Sequence, residues 1–346
     1  MKFEIKHILN REIVHYHKDT TLITSKYNKI YIKNGFKEEK IKLPYDGWKT
    51  LLAFSRLFRR ILRLDKCNVI PTAKGYVIIR MSKVYFYDKE EETLTHTLTL
   101  QNCRNILHQS ATVLNGGKEI IFGEYGMNAD RKEVPIYKSE DAGKSWKKAY
   151  VFEPGKIKHI HGCYYDKFED KIWIFTGDYK DECFVIKSDK DFKNMEWIGD
   201  GTQTYRGCSA FFTEDSVYWA MDSEFEDNYL FKLDRKTKEL KKVQDFPGPI
   251  IYTKTLIDGV YLIATVRDKE PGTKDNYVHL FASKDLENWE EVAKFKHDGL
   301  PVRVFKSGIL SFADGEERSC DFYIFGEALR GLDGKIARCL LEKDSA

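Results

Sequence analysis

Two histidines stand two residues apart in His159-Ile160-His161-Gly162. Along an extended strand, alternate side chains share a face, so both imidazoles point the same way. Imidazoles so placed serve as acid/base partners or as metal ligands. A metal needs a third ligand, which His108, one repeat earlier, could supply. The reading adopted is that no cofactor is required, with a divalent metal at His159 and His161 as the alternative. A purely structural use also stands: one imidazole bonded inside a polar channel, the other packed between sheets.

A second constellation is Tyr205-Arg206-Gly207. A guanidinium grips a carboxylate through two parallel hydrogen bonds. The neighbouring Tyr205 can give or take a proton at a sugar carbon or ring oxygen, and Gly207 leaves room for a ligand. Arg104, Arg267 and Arg303 stand at comparable places in other repeats and could converge with Arg206. Against this stands an inter-sheet salt bridge from Arg206 to Glu124, Asp178 or Asp222. These carboxylates, with Asp268, follow apolar runs at the ends of strands. A glycosidase needs two carboxyl groups, about 5–5.5 Å apart for retention or ~6.5–9.5 Å for inversion. Tyr125, Tyr205 and Tyr252 could stack on sugar rings.

The elements that position these residues are strands. Runs such as Gly75 to Arg80, Glu119 to Phe122, Lys171 to Thr176, Ser216 to Ala220 and Gly259 to Val266 are short and rich in Ile, Val, Tyr, Phe and Trp. Gly, Asn, Asp and Lys clusters separate them, as turns separate strands. Candidate turns at Asn34-Gly35, Asp88-Lys89, Asp141 to Gly143, Asp189 to Asp191, Asp234-Arg235, Asp285 and Asp333-Gly334 recur roughly every 44 to 54 residues, the length of a four-stranded propeller blade. Seven turns predict seven blades, with six as the alternative, in one all-β domain spanning 1–346. In such a blade the start of the first strand and the end of the second lie at one end. The histidines, Arg206 and the carboxylates all fall at those positions. One segment differs: from Trp48 to Leu64 the apolar Leu51, Phe54, Phe58 and Ile61 are spaced as on a helix. Arg56, Arg59, Arg60 and Arg63 decorate its other faces, predicting a short amphipathic helix. Its arginines would be solvated or would meet an anionic surface.

One turn carries a signature. Ser139-Glu140-Asp141-Ala142-Gly143-Lys144-Ser145-Trp146 fits Ser-x-Asp-x-Gly-x-Ser/Thr-Trp, with weaker copies at Ser283 to Trp289 and Ser188 to Trp197. It resembles the Asp-box of sialidases and other BNR-repeat β-propellers, a group dominated by carbohydrate-active proteins. Asp141 and Asp285 are then turn residues. Sialidases carry an Arg-Ile-Pro signature, an arginine triad, a Tyr–Glu pair and an Asp acid/base. Here Val69-Ile70-Pro71 lacks the arginine, so that catalytic set does not transfer. The His-x-His and Tyr-Arg strand starts are more similar to propeller polysaccharide lyases, where His and Tyr act on an acidic sugar and Arg neutralises its carboxylate.

The resemblance implies an acidic oligo- or polysaccharide as partner and a lyase or glycoside hydrolase as activity. In the lyase version Arg206, with Arg104 or Arg267, holds the carboxylate. His161 or Tyr205 takes the proton, and the other, or His108, protonates the leaving oxygen. Glu124, Asp178, Asp222 and Tyr252 complete the substrate contacts. Whether the chain is an enzyme stays open, the alternative being a non-catalytic glycan-binding or assembly protein in surface-polysaccharide production. A net charge of +3 over 346 residues does not suggest nucleic-acid binding. No apolar run suits a transmembrane helix. The start, Met1 to His7, has no apolar stretch like that of a signal peptide, which predicts a cytoplasmic protein unless a leader was trimmed. Seven cysteines without a Cys-x-x-Cys pair, among them Cys103, Cys163 and Cys208, read as small buried hydrophobes.

Overall fold

The computed structural model describes residues 1–45, 47 and 52–342. Its strands come in fours. After β1 (Lys2–Leu9), the first set is β2 (Ile13–Lys18), β3 (Thr21–Lys26), β4 (Lys29–Asn34) and β5 (Lys37–Lys42). The helix α1 (Arg56–Leu62) precedes the second set, β6 (Asn68–Pro71), β7 (Gly75–Arg80), β8 (Lys83–Asp88) and β9 (Thr93–Thr99). The third is β10 (Thr112–Leu114), β11 (Glu119–Gly123), β12 (Val134–Ser139) and β13 (Lys147–Phe152). The fourth is β14 (His159–Asp166), β15 (Lys171–Gly177), β16 (Cys183–Ser188) and β17 (Met195–Gly201). The fifth is β18 (Gly207–Phe212), β19 (Ser216–Met221), β20 (Asn228–Asp234) and β21 (Leu240–Phe246). The sixth is β22 (Ile250–Thr255), β23 (Tyr261–Arg267), β24 (Tyr277–Ser283) and β25 (Glu290–Lys296). After a short helix, α2 (Val302–Phe305), the seventh is β26 (Gly308–Phe312), β27 (Phe322–Glu327) and β28 (Lys335–Glu342), completed by β1. Every neighbouring pair in the first four sets is antiparallel, and β23 also pairs antiparallel with β26. The described residues thus form seven blades of a β-propeller.

Burial explains the strand sequences. Second strands are apolar runs rather than alternating ones: β7, β11, β19 and β27 are buried at every position. A strand covered on both faces has no polar side to present. Fourth strands are outermost and read polar, as in Lys-Glu-Glu-Lys-Ile-Lys of β5. Contacts group the residues into two compact units. The first comprises 1–65, 224–228 and 244–346, and the second 66–223 and 229–243. Leu262, Leu280, Leu310, Phe312 and Phe322 lie in the core of the first. In the second, Trp173, Phe175, Trp219 and Phe231 pack together.

The turn signature folds as its chemistry requires. Ser139 Oγ accepts the amide of Gly143 at 2.8 Å, and Asp141 accepts the amide of Ser145 at 2.9 Å and its hydroxyl at 2.6 Å. Trp146 donates its indole N–H to Thr97 of the preceding blade and lies edge-on to Phe122. The copy at Ser283 is built alike, with Asp285 accepting the amides of Glu287 and Asn288. Asp189 collects the amides of Asp191 and Lys193. The second copy is one residue shorter: Leu286 takes the left-handed conformation (φ 65°) that Ala142 takes in the first (φ 67°), and no counterpart of Gly143 (φ 96°) follows it.

The helix departs from expectation. Residues 48–51 of the segment, including Leu51, lie outside the described residues. The described part turns its apolar side outward: Phe54, Leu57, Phe58 and Ile61 are exposed, while Arg59 and Arg60 are buried. Arg59 pairs with Glu12, Arg60 with Asp298, and Arg56 bridges Asp65 and Asp333. Buried carboxylates require partners, and a planar fork supplies several donors at once, so the arginines face in. Cys103, Cys163 and Cys208 are buried, as expected. No helix among the described residues is long and apolar enough to cross a membrane.

Candidate functional site

Three consecutive blades of the second unit bring chemistry-bearing residues to one end. His159 opens β14 and pairs with Gly177 at the end of β15, which puts Asp178 beside it. Gly207 opens β18 opposite Met221 at the end of β19, which puts Arg206 beside Asp222. Glu124 and Tyr125 follow β11, and the Ile160 amide donates to the Glu124 carbonyl at 2.8 Å. Register slips at His161 in β14 and between Gly207 and Ala210 in β18. An extra residue in one strand re-aims its side chain, so the antiparallel pairing and the bulges together gather the cluster.

Asp178 is its hub. Its Oδ1 lies 3.0 Å from His161 Nε2 and 3.2 Å from His159 Nε2, and the two nitrogens are 3.0 Å apart. Lys158 donates to Oδ2 at 2.6 Å, and Arg206 Nη2 stands 3.3 Å from Oδ1. The same Nη2 is 3.5 Å from Asp222 Oδ2, which also accepts the Cys208 thiol at 3.3 Å. Each imidazole is anchored from behind: His159 Nδ1 donates to the Gly126 carbonyl at 2.6 Å and His161 Nδ1 to the Gly207 carbonyl at 2.8 Å. Tyr125, half-buried, lies with its ring centre 4.4 Å from that of His159. Gln203 donates to the Asp178 carbonyl and accepts from Ser223.

Burial and neighbouring charge set the protonation states. For Asp178, burial works against the ion, but hydrogen bonds from His159 and His161 outweigh it and hold the carboxyl well below the usual range. Burial lowers His161 below its ordinary value, Asp178 opposing and His159 assisting. Asp222 goes the other way: burial raises it to about 6, although Arg206 and His161 pull it down. Burial also works to lower Arg206, and Asp222 and Asp178 outweigh it, so the guanidinium stays charged. The site therefore holds one firmly ionised carboxylate and one that changes protonation near neutrality.

Of the residues singled out in the sequence, His161, Arg206, Asp178 and Asp222 come together, with His159. Tyr205 takes another place: its ring stacks on Trp219 at 6.0 Å in the apolar core of its blade. Glu124 spends both oxygens on the amides of Gln101 and Asn102 and on the Tyr137 hydroxyl, so it pins a loop. Arg104, exposed, and His108, half-buried, lie between β9 and β10. Arg267 and Tyr252 belong to the first unit. There Arg267 bonds Asn276 and the Asp268 carbonyl, and Tyr252 joins the core. The space beside Gly207 is filled by Phe175, which a Cβ there would meet at 2.8 Å, so it is not ligand room. Gly177 is the glycine the site needs, since a Cβ would fall 2.6 Å from His161 Cε1. Sequence reasoning missed Lys158, Gln203 and the polar contact of Cys208. Lys158 immediately precedes the first histidine, and that adjacency was the available signal.

No protein-family model matches the chain, and no curated protein matches it. Solved structures do. The extracellular domain of the hybrid two-component system BT4673 from B. thetaiotaomicron aligns over 100% of this chain with TM-score 0.60 and 11% identity. The chain spans 40% of that protein's length. YCF48 bound to D1 peptide aligns over 97% of this chain and 92% of its own, with TM-score 0.57 and 12% identity. A chain of the Mitotic Checkpoint Complex covers 99% of this one with TM-score 0.56 and 8% identity. The likeness is one of fold. At these identities it extends to the propeller and no further.

Proposed function

We propose that the chain acts on an acidic glycan, as a polysaccharide lyase or glycoside hydrolase, at the Asp178-centred cluster. The observation that carries this reading is the convergence of two buried imidazoles, two carboxylates and a guanidinium beside the half-buried ring of Tyr125. Packing alone would place apolar side chains there, since buried ionisable groups cost energy unless they are used or paired. The Asp-box resemblance of the Ser139 and Ser283 turns supports a sugar as ligand.

In this reading Arg206 exchanges a contact with Asp178 or Asp222 for the sugar carboxylate. Its charge then stabilises the enolate that forms when the neighbouring carbon loses its proton. Asp222, at about 6, is suited to take that proton near neutral pH and to return it to the glycosidic oxygen as the β C–O bond breaks and the C=C bond forms. His161 directs its Nε2 at Asp178, so it orients the carboxylate instead of reaching for the substrate. Tyr125, not Tyr205, is the tyrosine that borders the histidines.

The test is incubation with a panel of uronate- and sialate-containing polysaccharides. A lyase gives the ultraviolet absorbance of an unsaturated product, and a hydrolase gives new reducing ends without it. Asp222→Asn should reduce turnover by roughly 100-fold or more. Neither product nor binding across the panel would overturn the reading. One observation favours a second: Arg206 already has two carboxylate partners. A non-catalytic glycan-binding or assembly protein would keep them. It would show calorimetric binding of acidic oligosaccharide with no turnover.

A further inference from the structure

The three atoms at the centre of the cluster form a triangle with edges of 3.0, 3.0 and 3.2 Å: His159 Nε2, His161 Nε2 and Asp178 Oδ1. The hydrogen bonds behind them decide what these atoms carry. A backbone carbonyl only accepts, so His159 Nδ1 and His161 Nδ1 each hold a proton toward Gly126 and Gly207. In a neutral imidazole the other nitrogen then presents a lone pair. With both rings neutral, three acceptors therefore face one another at hydrogen-bond distance; the hydrogen bonds to Asp178 form when a ring is protonated, and a metal ion can take that proton's place.

A proton added to one ring cannot satisfy the set. It bonds the other nitrogen or the carboxylate, and the second lone pair still faces Oδ1. Protonating both rings points two imidazolium N–H groups at each other across 3.0 Å. A metal ion satisfies all three atoms at once. Ligands about 2.0–2.1 Å from zinc in tetrahedral array lie ~3.3 Å from one another, close to the edges here, with the ion roughly 1 Å above their plane.

We propose that His159 Nε2, His161 Nε2 and Asp178 Oδ1 bind a divalent first-row metal ion of the zinc class. The surrounding groups do what metal sites require. The Gly126 and Gly207 carbonyls fix both imidazoles, and Lys158 holds Asp178 Oδ2 so that Oδ1 points inward. Gly177 keeps the space in front of His161 clear. Two imidazoles and one carboxylate suit zinc, cobalt or manganese, and three protein ligands leave a fourth position open. Arg206 shifts its weight to Asp222 when the ion takes Oδ1. The site rests on this geometry and not on the glycan reading. If both hold, the open position takes a carboxylate oxygen of the sugar.

The experiment uses the full chain, stripped with a chelator and titrated with Co²⁺ and then Zn²⁺. One Co²⁺ per chain should bind with the visible absorption of a low-coordinate site, and Zn²⁺ should displace it. His159→Ala and Asp178→Asn should each weaken binding at least about 100-fold, while Cys320→Ser, at an exposed cysteine outside the cluster, should leave it unchanged. Because buried substitutions can unfold the blade, the wild-type protein labelled with ¹⁵N-histidine provides a second readout. Zinc should shift the Nε2 signals of two histidines and leave their Nδ1 signals protonated. Stoichiometry below one, equal binding by wild type and the folded ligand variants, or unmoved Nε2 signals in excess zinc would each overturn the proposal. An intact metal site in a protein silent toward every glycan would overturn only the glycan reading.

Discussion

Replacing Arg206 with Ala should destabilise the protein by an amount that depends on pH, and the structure gives both size and sign. Arg206 lies 3.3 Å from Asp178 and 3.5 Å from Asp222. Asp178 keeps Lys158 at 2.6 Å after the substitution, whereas Asp222 keeps the Cys208 thiol. The burden therefore falls on Asp222, which is faced by Arg206, His161, Asp178 and Cys208. Burial raises its pKa from 3.8 to about 6 in the folded protein. The folded state then holds this proton more tightly than the unfolded chain does. The stability so contributed is fully present below 3.8 and is lost as pH rises through about 6. At ~1.4 kcal/mol per unit it amounts to about 3 kcal/mol. Without Arg206 the pKa rises further, so above pH 6 the variant goes on losing stability after the wild type has stopped. At pH 5 the carboxyl is largely neutral in both, and the cost is the lost packing of the arginine stem, about 1 kcal/mol. At pH 8 it should reach about 3–4 kcal/mol, in the range for breaking a buried ion pair. Urea denaturation of wild type, Arg206→Ala, Asp222→Asn and the double variant at both pH values measures this. The same destabilisation at pH 5 and pH 8, or a pH dependence that survives in the double variant, would refute the reasoning.

Three further substitutions separate site from scaffold. Gly177→Ala places a methyl 2.6 Å from His161 Cε1. It should cost about 1–3 kcal/mol in denaturation and displace the His161 imidazole signals in NMR; unmoved signals would contradict the close approach. Glu124→Gln removes the acceptor charge that serves the amides of Gln101 and Asn102. It should lower stability by about 1–3 kcal/mol and leave ligand binding in the folded protein intact; lost binding at unchanged stability would restore Glu124 to the site. Trp146→Ala removes the indole that bonds Thr97 and packs on Phe122. It should cost about 3 kcal/mol, near the lower end for a large aromatic because the ring is half-buried; a thermal melt within a degree of wild type would show that the turn signature does not join the blades.

The blade series was legible because each of its signals is local. An Asp that gathers the amides of its own turn, as Asp141 and Asp285 do, needs no distant partner. A second strand covered on both faces can only be a short apolar run, as in β7 or β19. Repetition then fixes which residues share an end, and this is why His161, Asp178, Arg206 and Asp222 were recoverable from spacing. What spacing lacks is the partner. Glu124 occupies the same strand-end position as Asp178, yet a loop turns its amides toward it. Tyr205 precedes Arg206 in sequence, but a 3₁₀ turn, Gln203–Tyr205, rolls its ring onto Trp219. The helix misled for the same reason. Its spacing implies arginines that are solvated or meet an anionic surface, and nothing local announces that Glu12, Asp298 and Asp333 claim them.

The chain carries its own control for the histidine motif. His15-Tyr16-His17 in β2 repeats the spacing of His159-Ile160-His161 in β14, and each strand has a register slip at its motif. In β2 the partners diverge: His15 Nε2 meets Ser25 Oγ at 2.8 Å, and His17 Nδ1 meets Glu317 at 3.1 Å, beside Lys254. Each imidazole there meets its own partner and neither shares one with the other. In β14 both Nδ1 atoms are spent on carbonyls and both Nε2 atoms meet at one carboxylate oxygen. That arrangement concentrates unshared electron pairs at a point, at a cost that a structural histidine does not incur. Strand alternation and a bulge create the opportunity in both blades. The carbonyls of Gly126 and Gly207, the lysine on Asp178 and the bare Cα of Gly177 turn it into a site in one of them.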